Sequence, residues 1–169
     1  ENEIQTHNWA DIFQGVENAV ESLVLYRKNE GENLLKDISD RITLIDEFLK
    51  EIVPLSEFRI ENIKSTLKDK IENSELQIDP NRFEQELIYY LEKQDITEEI
   101  VRLQSHLNYF LETTKTNSPN GKKLGFICQE IGREINTIGS KASNAEMQKI
   151  VVNMKNELEK IKEQLLNIL

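Results

Sequence analysis

The chain has 169 residues, of which 38% are apolar and 31% are charged, and its formal net charge is −10. This length suits one domain, or one domain with an extended arm, and the charge content is typical of long helices with wide solvated faces. No apolar run approaches the roughly 20 residues that cross a bilayer, and no signal peptide is recognisable. We therefore predict a cytoplasmic protein without a membrane partner. The single Cys128 cannot form an internal disulfide, which agrees with a reducing compartment.

The first predicted helices contain regularly spaced apolar residues. Asn8 is a suitable N-cap for an amphipathic helix that begins at Trp9. After Gly31, the apolar residues from Leu35 to Ile52 are spaced 3-4-3-4-3, which is a heptad seam that a partner helix must cover. Proline removes a backbone donor from a helix, so Pro54 is expected to end this one. A shorter helix then follows.

The second half of the chain contains clearer start and stop signals. Asp79 and Pro80 are typical of an N-cap and a first helical residue. Two further helices precede the loop TKTNSPNGKK, and the next helix is expected to stop near Gly139. Ser143 has the spacing of a capping box for the last helix, whose heptad seam covers residues 147–168.

No segment alternates between apolar and polar residues with a period of two. We therefore predict an all-α fold with long helical hairpins or coiled-coil arms and a C-terminal helical bundle. Residues 1–78 would form the helical arm, and residues 79–169 would form the C-terminal domain.

The distribution of charge separates the two parts of the chain. Residues 113–169 contain 9 Lys and Arg against 6 Asp and Glu, whereas residues 1–112 contain 12 against 25. Phosphate binding depends on local charge. Only the C-terminal third therefore has a basic excess suited to a nucleic acid.

Candidate chemistry begins with one helix in residues 81–110. Glu99 and His106 are seven residues apart and share a helix face. Together with Asp95 they provide carboxylates and an imidazole, a mixed set of ligands suited to Mn²⁺ or Mg²⁺. Asp95 with Glu98 is also the spacing of a capping box, and Glu99 with Arg102 is the spacing of an ordinary surface ion pair.

Three polar motifs follow one another at fixed spacing over roughly the last 90 residues. They are N-R-x-E-Q-E at 81–86, D-x-x-E-E-x-x-R-L-x-x-H at 95–106, and G-x-K-L-x-F-x-x-Q-E-x-x-R-E-x-N-T-x-x-S-K-x-x-x-A-E at 121–146. A final E-Q-x-x-N-I occupies residues 163–168. In these motifs the chain resembles the C-terminal region of the YicC family of bacterial proteins.

The resemblance implies an endoribonuclease that depends on a divalent metal, Mn²⁺ or alternatively Mg²⁺, and cleaves single-stranded RNA. It also implies a ring-like homo-oligomer, a hexamer in the full-length family, that clamps RNA; no DNA partner is expected. Family members have a mixed α/β domain ahead of the residue corresponding to Trp9. We expect that domain to be absent from this chain, which would put its assembly and activity in question.

The resemblance also assigns roles to polar residues that would converge on one cleft. The metal ligands would be Asp95, Glu99, His106, Glu130 and Glu134. Of these, the catalytic residues would be His106, Glu99 and Glu130. The residues that would bind RNA phosphates are Arg82, Arg102, Lys123, Arg133 and Lys141.

A different class of function is also consistent with the sequence. The acidic total charge and the expected absence of the α/β domain favour a non-catalytic helical module of a stress-related bacterial protein, used for oligomerisation or RNA binding. For His106, the alternative to a metal ligand or general base is a side chain packed beside Tyr109 or Phe110.

Overall fold

The computed structural model describes residues 8–72, 79–116 and 120–166. Over these residues the fold is all-α, as predicted, with no β-strand. The five helices are α1 (Trp9–Glu72), α2 (Pro80–Gln94), α3 (Thr97–Thr114), α4 (Gly121–Lys141) and α5 (Ala145–Leu165). None of these described helices is long and apolar enough to span a membrane.

Helix α1 is a continuous helix of 64 residues, so the prediction that Pro54 ends a helix was wrong. An internal proline costs about 3 kcal/mol, because it lacks an N–H group and its ring presses on the carbonyl four residues earlier. Here that carbonyl belongs to Lys50. Both Lys50 and Pro54 lie on the exposed face, where water can hydrate the carbonyl, whereas Ile52 on the other face is fully buried. Packing of the buried face therefore maintains the helix.

The chain divides into two compact units, Glu1–Asp37 and Ile38–Leu169. In the first unit, the described residues form the N-terminal part of α1. Asn8 begins this helix, because its Oδ1 accepts a hydrogen bond from the Ala10 N–H at 3.3 Å. The large apolar side chains along this part of α1 are exposed: Trp9, Ile12, Phe13, Val16, Val20, Leu23, Val24, Leu25 and Tyr26.

The second unit contains the hydrophobic core. Helix α4 packs against both α3 and α5. Asp46 of α1 accepts a hydrogen bond from Gln104 of α3 at 2.6 Å, and Arg41 forms an ion pair with Glu157 of α5 at 2.7 Å. These contacts place the part of α1 that belongs to the second unit beside α3 and α5.

Both heptad seams are covered within the second unit. The α1 residues Ile38, Ile42, Ile45, Leu49 and Ile52 are at most 2% exposed, which confirms the prediction for this part of the first seam. Leu35 is exposed. The second seam is buried throughout its described part: Met147, Val151, Met154, Leu158, Ile161 and Leu165. Ile168 lies outside the described residues, and coiled-coil arms stay a prediction.

Two helix-start predictions have different outcomes. Asp79 caps α2, with its Oδ1 accepting from the Asn81 N–H at 3.0 Å, and Pro80 is the first helical residue, as predicted. Helix α5 is capped by Asn144 and not by Ser143. The Asn144 Oδ1 accepts from two backbone N–H groups of the first turn, at 2.9 and 3.0 Å.

Close packing between α4 and α5 depends on glycine. Gly139 lies inside α4, which ends at Lys141, so its predicted role as the residue after the helix was wrong. A Cβ atom at Gly139 would lie 2.9 Å from Cγ1 of Val151, and one at Gly132 would lie 3.2 Å from Cδ2 of Leu158. The missing side chains therefore allow α5 to approach α4.

Gly139→Ala is expected to destabilise the protein by about 1–2 kcal/mol. Overpacking costs about 1–3 kcal/mol, and the higher helix propensity of alanine offsets up to about 1 kcal/mol. The matched control is Gly125→Ala in the same helix, where a Cβ would meet nothing within 4 Å. This control should stabilise the protein by about 0.5–1 kcal/mol. Urea unfolding of both variants measures the difference, and changes of the same sign would contradict the close approach.

Candidate functional site

Two helix ends meet around one arginine of α1. Arg59 is only 6% exposed, and its Nη1 donates hydrogen bonds to Oε1 of Gln94 at 3.2 Å and to the backbone carbonyl of Lys141 at 2.6 Å. Its Nη2 donates to the backbone carbonyl of Gln94. These two carbonyls belong to the last turns of α2 and α4, where no helical N–H remains to pair with them. Arg59 therefore caps the C-terminal ends of two helices.

Lys141 connects the same helix ends to α3. Its Nζ donates to Oε1 of Glu99 at 2.8 Å and to the backbone carbonyl of Asp95 at 2.9 Å. Glu99 is 7% exposed, and among the described residues its Oε2 has no hydrogen-bond partner. We term these five residues, Arg59, Gln94, Asp95, Glu99 and Lys141, the polar junction.

Asp95 has a local structural role at this junction. Its Oδ1 accepts hydrogen bonds from the hydroxyl of Thr97 at 2.6 Å and from the Thr97 N–H at 3.0 Å. These two bonds lower the pKa of Asp95 below its usual value, and the bond from the hydroxyl is the larger cause. The positive charge of Lys141 lowers the pKa further. Asp95 is therefore ionised at neutral pH and fixes the turn between α2 and α3.

The structure brings together three of the residues predicted from the sequence: Asp95, Glu99 and Lys141. The expected surface pair of Glu99 with Arg102 does not form. Arg102 instead pairs with Glu98 one turn away on the exposed face.

The remaining predicted metal ligands lie elsewhere on α3 and α4. His106 is half-buried two turns beyond Glu99, Glu134 is buried in α4, and Glu130 is exposed with its Oε2 3.9 Å from Nη1 of Arg133. Within residues 8–72, 79–116 and 120–166, no three His, Cys, Asp or Glu side chains form a group that could hold a metal ion. These residues of one chain therefore do not fit a complete metal site, and metal binding stays a prediction.

Most of the predicted phosphate-binding cations are on the surface. Arg82, Arg102, Lys123 and Arg133 are all exposed. The Nζ of Lys123 lies 4.8 Å from the centre of the Tyr109 ring, a cation–π contact. Only Lys141 belongs to the polar junction.

Sequence reasoning missed Arg59 and Gln94. A signal for Arg59 was present, because the spacing of the buried α1 residues continues after Ile52 through Ser56 to Arg59. A charged residue at a seam position needs buried hydrogen-bond acceptors. Gln94 carried no comparable signal.

A cavity of about 890 Å³ lies beside the polar junction. Arg59 belongs to the polar junction and also lines the cavity. The lining includes Lys93 of α2 as well, whose Nζ is 4.3 Å from the centre of the Tyr89 ring. Four aromatic residues line this space, which we term the aromatic cavity: Phe58, Phe83, Tyr89 and Tyr90.

Residues 52–169 match the protein family described as "Endoribonuclease YicC-like, C-terminal". The chain belongs to the YicC-like family. The matched region contains the whole polar junction and the aromatic cavity, since every residue of both lies between Phe58 and Asn144.

Two curated relatives of the YicC-like family are similar over almost the whole chain. The probable endoribonuclease YicC of Clostridioides difficile is 41% identical over 165 residues, which are 95% of this chain and 56% of that protein. The probable endoribonuclease YicC of Haemophilus influenzae is 30% identical over 158 residues, which are 94% of this chain and 55% of that protein. The chain thus spans about half the length of the curated relatives it matches.

Proposed function

We propose that this YicC-like chain carries the RNA-cleaving site of an endoribonuclease that acts on phosphodiester bonds of single-stranded RNA. The observation that supports the proposal is the Glu99–Lys141 pair within the polar junction. The names of the two relatives agree with this class of reaction.

Cleavage of a phosphodiester requires a proton acceptor near the attacking oxygen and positive charge near the phosphate. Glu99 offers a buried carboxylate oxygen without a partner among the described residues. Leaving such an atom unpaired costs about 1–3 kcal/mol, so a partner that the substrate supplies to this oxygen would be favourable. In the proposed reaction, Oε2 of Glu99 accepts the proton of the attacking oxygen as that oxygen bonds to phosphorus. The bond from phosphorus to the leaving oxygen breaks, and the leaving oxygen takes a proton from water.

Lys141 supplies the positive charge at the same place. Its ammonium group has three N–H donors, and the bonds to Glu99 and Asp95 use two of them. The third can donate to a phosphate oxygen, while one bond holds the Glu99 carboxylate and the other holds the ammonium group against the Asp95 backbone carbonyl. The exposed Arg82, Arg102, Lys123 and Arg133 would bind neighbouring phosphates along the strand.

Incubation of the pure chain with single-stranded RNA, with and without Mn²⁺ and with an EDTA control, tests this function. The metal requirement is a prediction from the family resemblance alone: it predicts cleavage that EDTA abolishes and Mn²⁺ restores, with Mg²⁺ as the alternative ion. Cleavage that persists in EDTA would contradict the metal requirement and leave the Glu99–Lys141 pair as the source of activity. RNA binding without cleavage under any condition would favour the non-catalytic module.

An oligomerisation role has its own observation in the first unit. The exposed apolar face of α1 contains Trp9, Ile12, Phe13, Val16, Val20 and Leu23 at helical spacing. Burial of one large apolar side chain stabilises by about 1.5–3 kcal/mol. A second copy of this chain would cover the face, so we propose a homo-oligomer in which α1 forms contacts between copies.

The double variant Phe13→Glu with Val20→Glu is expected to shift the chain toward the monomer, because two carboxylates would be buried in the contact between copies. Asn18→Glu with Ser22→Glu is the matched control, since both positions lie on the opposite face of the same helix. Sedimentation equilibrium measures the mass of each. An unchanged mass for the Phe13 and Val20 variant would remove this face from the assembly.

A further inference from the structure

The aromatic cavity has the size and the lining of a site for a small aromatic group. Its volume of about 890 Å³ falls within the range of about 300–1,000 Å³ that is common for ligand sites. Phe58, Tyr89 and Tyr90 line it and nevertheless remain exposed, by 64%, 55% and 44%. Exposed rings that border one recess provide faces on which a flat, unsaturated ligand can stack.

Charge at the cavity favours an anionic aromatic ligand. Arg59 and Lys93 line it, against the single carboxylate of Glu86. This local balance is positive in a chain whose total charge is −10. The Nζ of Lys93 lies over one face of the Tyr89 ring, 4.3 Å from the ring centre, so a positive charge lies at the lining of the cavity.

Arg59 adds a fixed hydrogen-bond donor. Its Nη1 and Nη2 are held by Gln94 and by the Lys141 carbonyl, whereas its buried Nε has no partner among the described residues. A guanidinium held at two nitrogens keeps its plane fixed. Nε therefore keeps a buried N–H group that lacks an acceptor among the described residues, in a side chain that lines the cavity.

We infer that the aromatic cavity binds a nucleobase of single-stranded RNA beside the polar junction. Aromatic rings with nearby cations are the means by which proteins bind unpaired bases without reading a fixed sequence. Arg59 belongs to both places, so a strand with a base in the cavity would bring its backbone toward Glu99 and Lys141. This inference rests on the proposed function and names the part of the substrate that the cavity holds.

The test compares two labelled oligonucleotides with the full chain: an oligouridylate, and a strand of equal length with abasic riboses. Fluorescence anisotropy measures both affinities, and a gel measures cleavage of the oligouridylate. The test variant is Tyr89→Ala with Tyr90→Ala, and Tyr89→Phe with Tyr90→Phe keeps both rings. Tyr109→Ala is the matched control, because Tyr109 also lies under a lysine but outside the cavity.

We expect the parent chain to prefer the strand that carries bases. The alanine variant should bind it about 5- to 150-fold more weakly, since stacking on aromatic rings contributes that much per base. Its affinity for the abasic strand should not change. The phenylalanine variant and Tyr109→Ala should retain the preference, which would show that loss of the rings, and not of the fold, weakened binding.

The outcomes separate this inference from the proposed function. Cleavage by a parent chain that binds both strands equally would overturn the inference alone. The parent chain could prefer the strand that carries bases, through Tyr89 and Tyr90, without ever cleaving RNA. That result would support the inference and contradict the proposed reaction. A parent chain that binds neither strand would overturn both.

Discussion

Glu99→Gln is expected to lower the rate of RNA cleavage by about 10²–10⁴-fold, the usual contribution of a general base. Glutamine has the shape of glutamate and keeps an oxygen that can accept the hydrogen bond from Lys141. It cannot accept a proton from the attacking group. The variant should therefore fold, bind RNA and fail in the chemical step.

The adjacent residue provides the control for Glu99→Gln. Glu98→Gln removes the same charge from the same turn of α3, but Glu98 is exposed and pairs with Arg102 on the surface. Single-turnover cleavage of saturating RNA by the two variants isolates the chemical step. Equal rates for Glu98→Gln and Glu99→Gln would remove Glu99 from the reaction.

His106→Ala distinguishes the roles predicted for the imidazole. His106 follows Glu99 by seven residues on α3, which is about 10.5 Å along the helix axis. If His106 is a metal ligand, its loss lowers the affinity for Mn²⁺. If it transfers a proton in addition to Glu99, cleavage falls and the metal affinity is kept. A lower melting temperature with unchanged cleavage per folded molecule would identify His106 as a packing residue. One preparation suffices for all three measurements.

Arg59→Ala is expected to lower the free energy of unfolding by about 2–4 kcal/mol. The change removes the donor from the carbonyls of Gln94 and Lys141 and from the Gln94 side chain. A buried acceptor left unpaired costs about 1–3 kcal/mol. Access of water through the adjacent aromatic cavity should offset part of the sum.

One substitution tests whether the arrangement of donors, and not the charge alone, stabilises the junction, and a second serves as a surface control. Arg59→Lys keeps the charge but offers one ammonium group in place of a planar fork, so it should recover only part of the loss. Arg133→Ala removes an exposed arginine, and its effect should stay within about 0.5 kcal/mol. Urea unfolding measures all three variants. A value for Arg59→Ala near that for Arg133→Ala would mean that the hydrogen bonds of Arg59 contribute little.

The helices and their buried faces were predictable, because apolar spacing records which side of a helix is covered. The seams through Ile42 and Met154 are examples. Local stop signals were less informative: packing keeps α1 helical through Pro54, and Gly139 serves a close contact with Val151 inside α4. In both cases a residue type that usually ends a helix occurs where tertiary contacts favour its continuation.

The candidate site was predictable only in part. The family motifs indicated Asp95, Glu99 and Lys141, which the structure brings together. Arg59 lies outside those motifs and is 35 residues from Gln94 and 82 from Lys141. Apolar periodicity shows that a helix face is buried, but it does not show which distant helix ends lie against it. That pairing depends on the packing of the whole second unit.

The position of Arg59 within the α1 seam also has a consequence for helix register. From Ile38 to Ile52 the buried residues repeat every seven positions, so a shift of this part of α1 by one heptad would still place apolar residues at most of the buried positions. The same shift would move the guanidinium about 10 Å along the axis, away from its three acceptors, and would leave a buried charge unsatisfied. A single buried polar residue can select one alignment among several apolar ones in this way. The isoleucines of the seam would be buried in either alignment, whereas Arg59 is satisfied in only one. Arg59 therefore disfavours the shifted alignment.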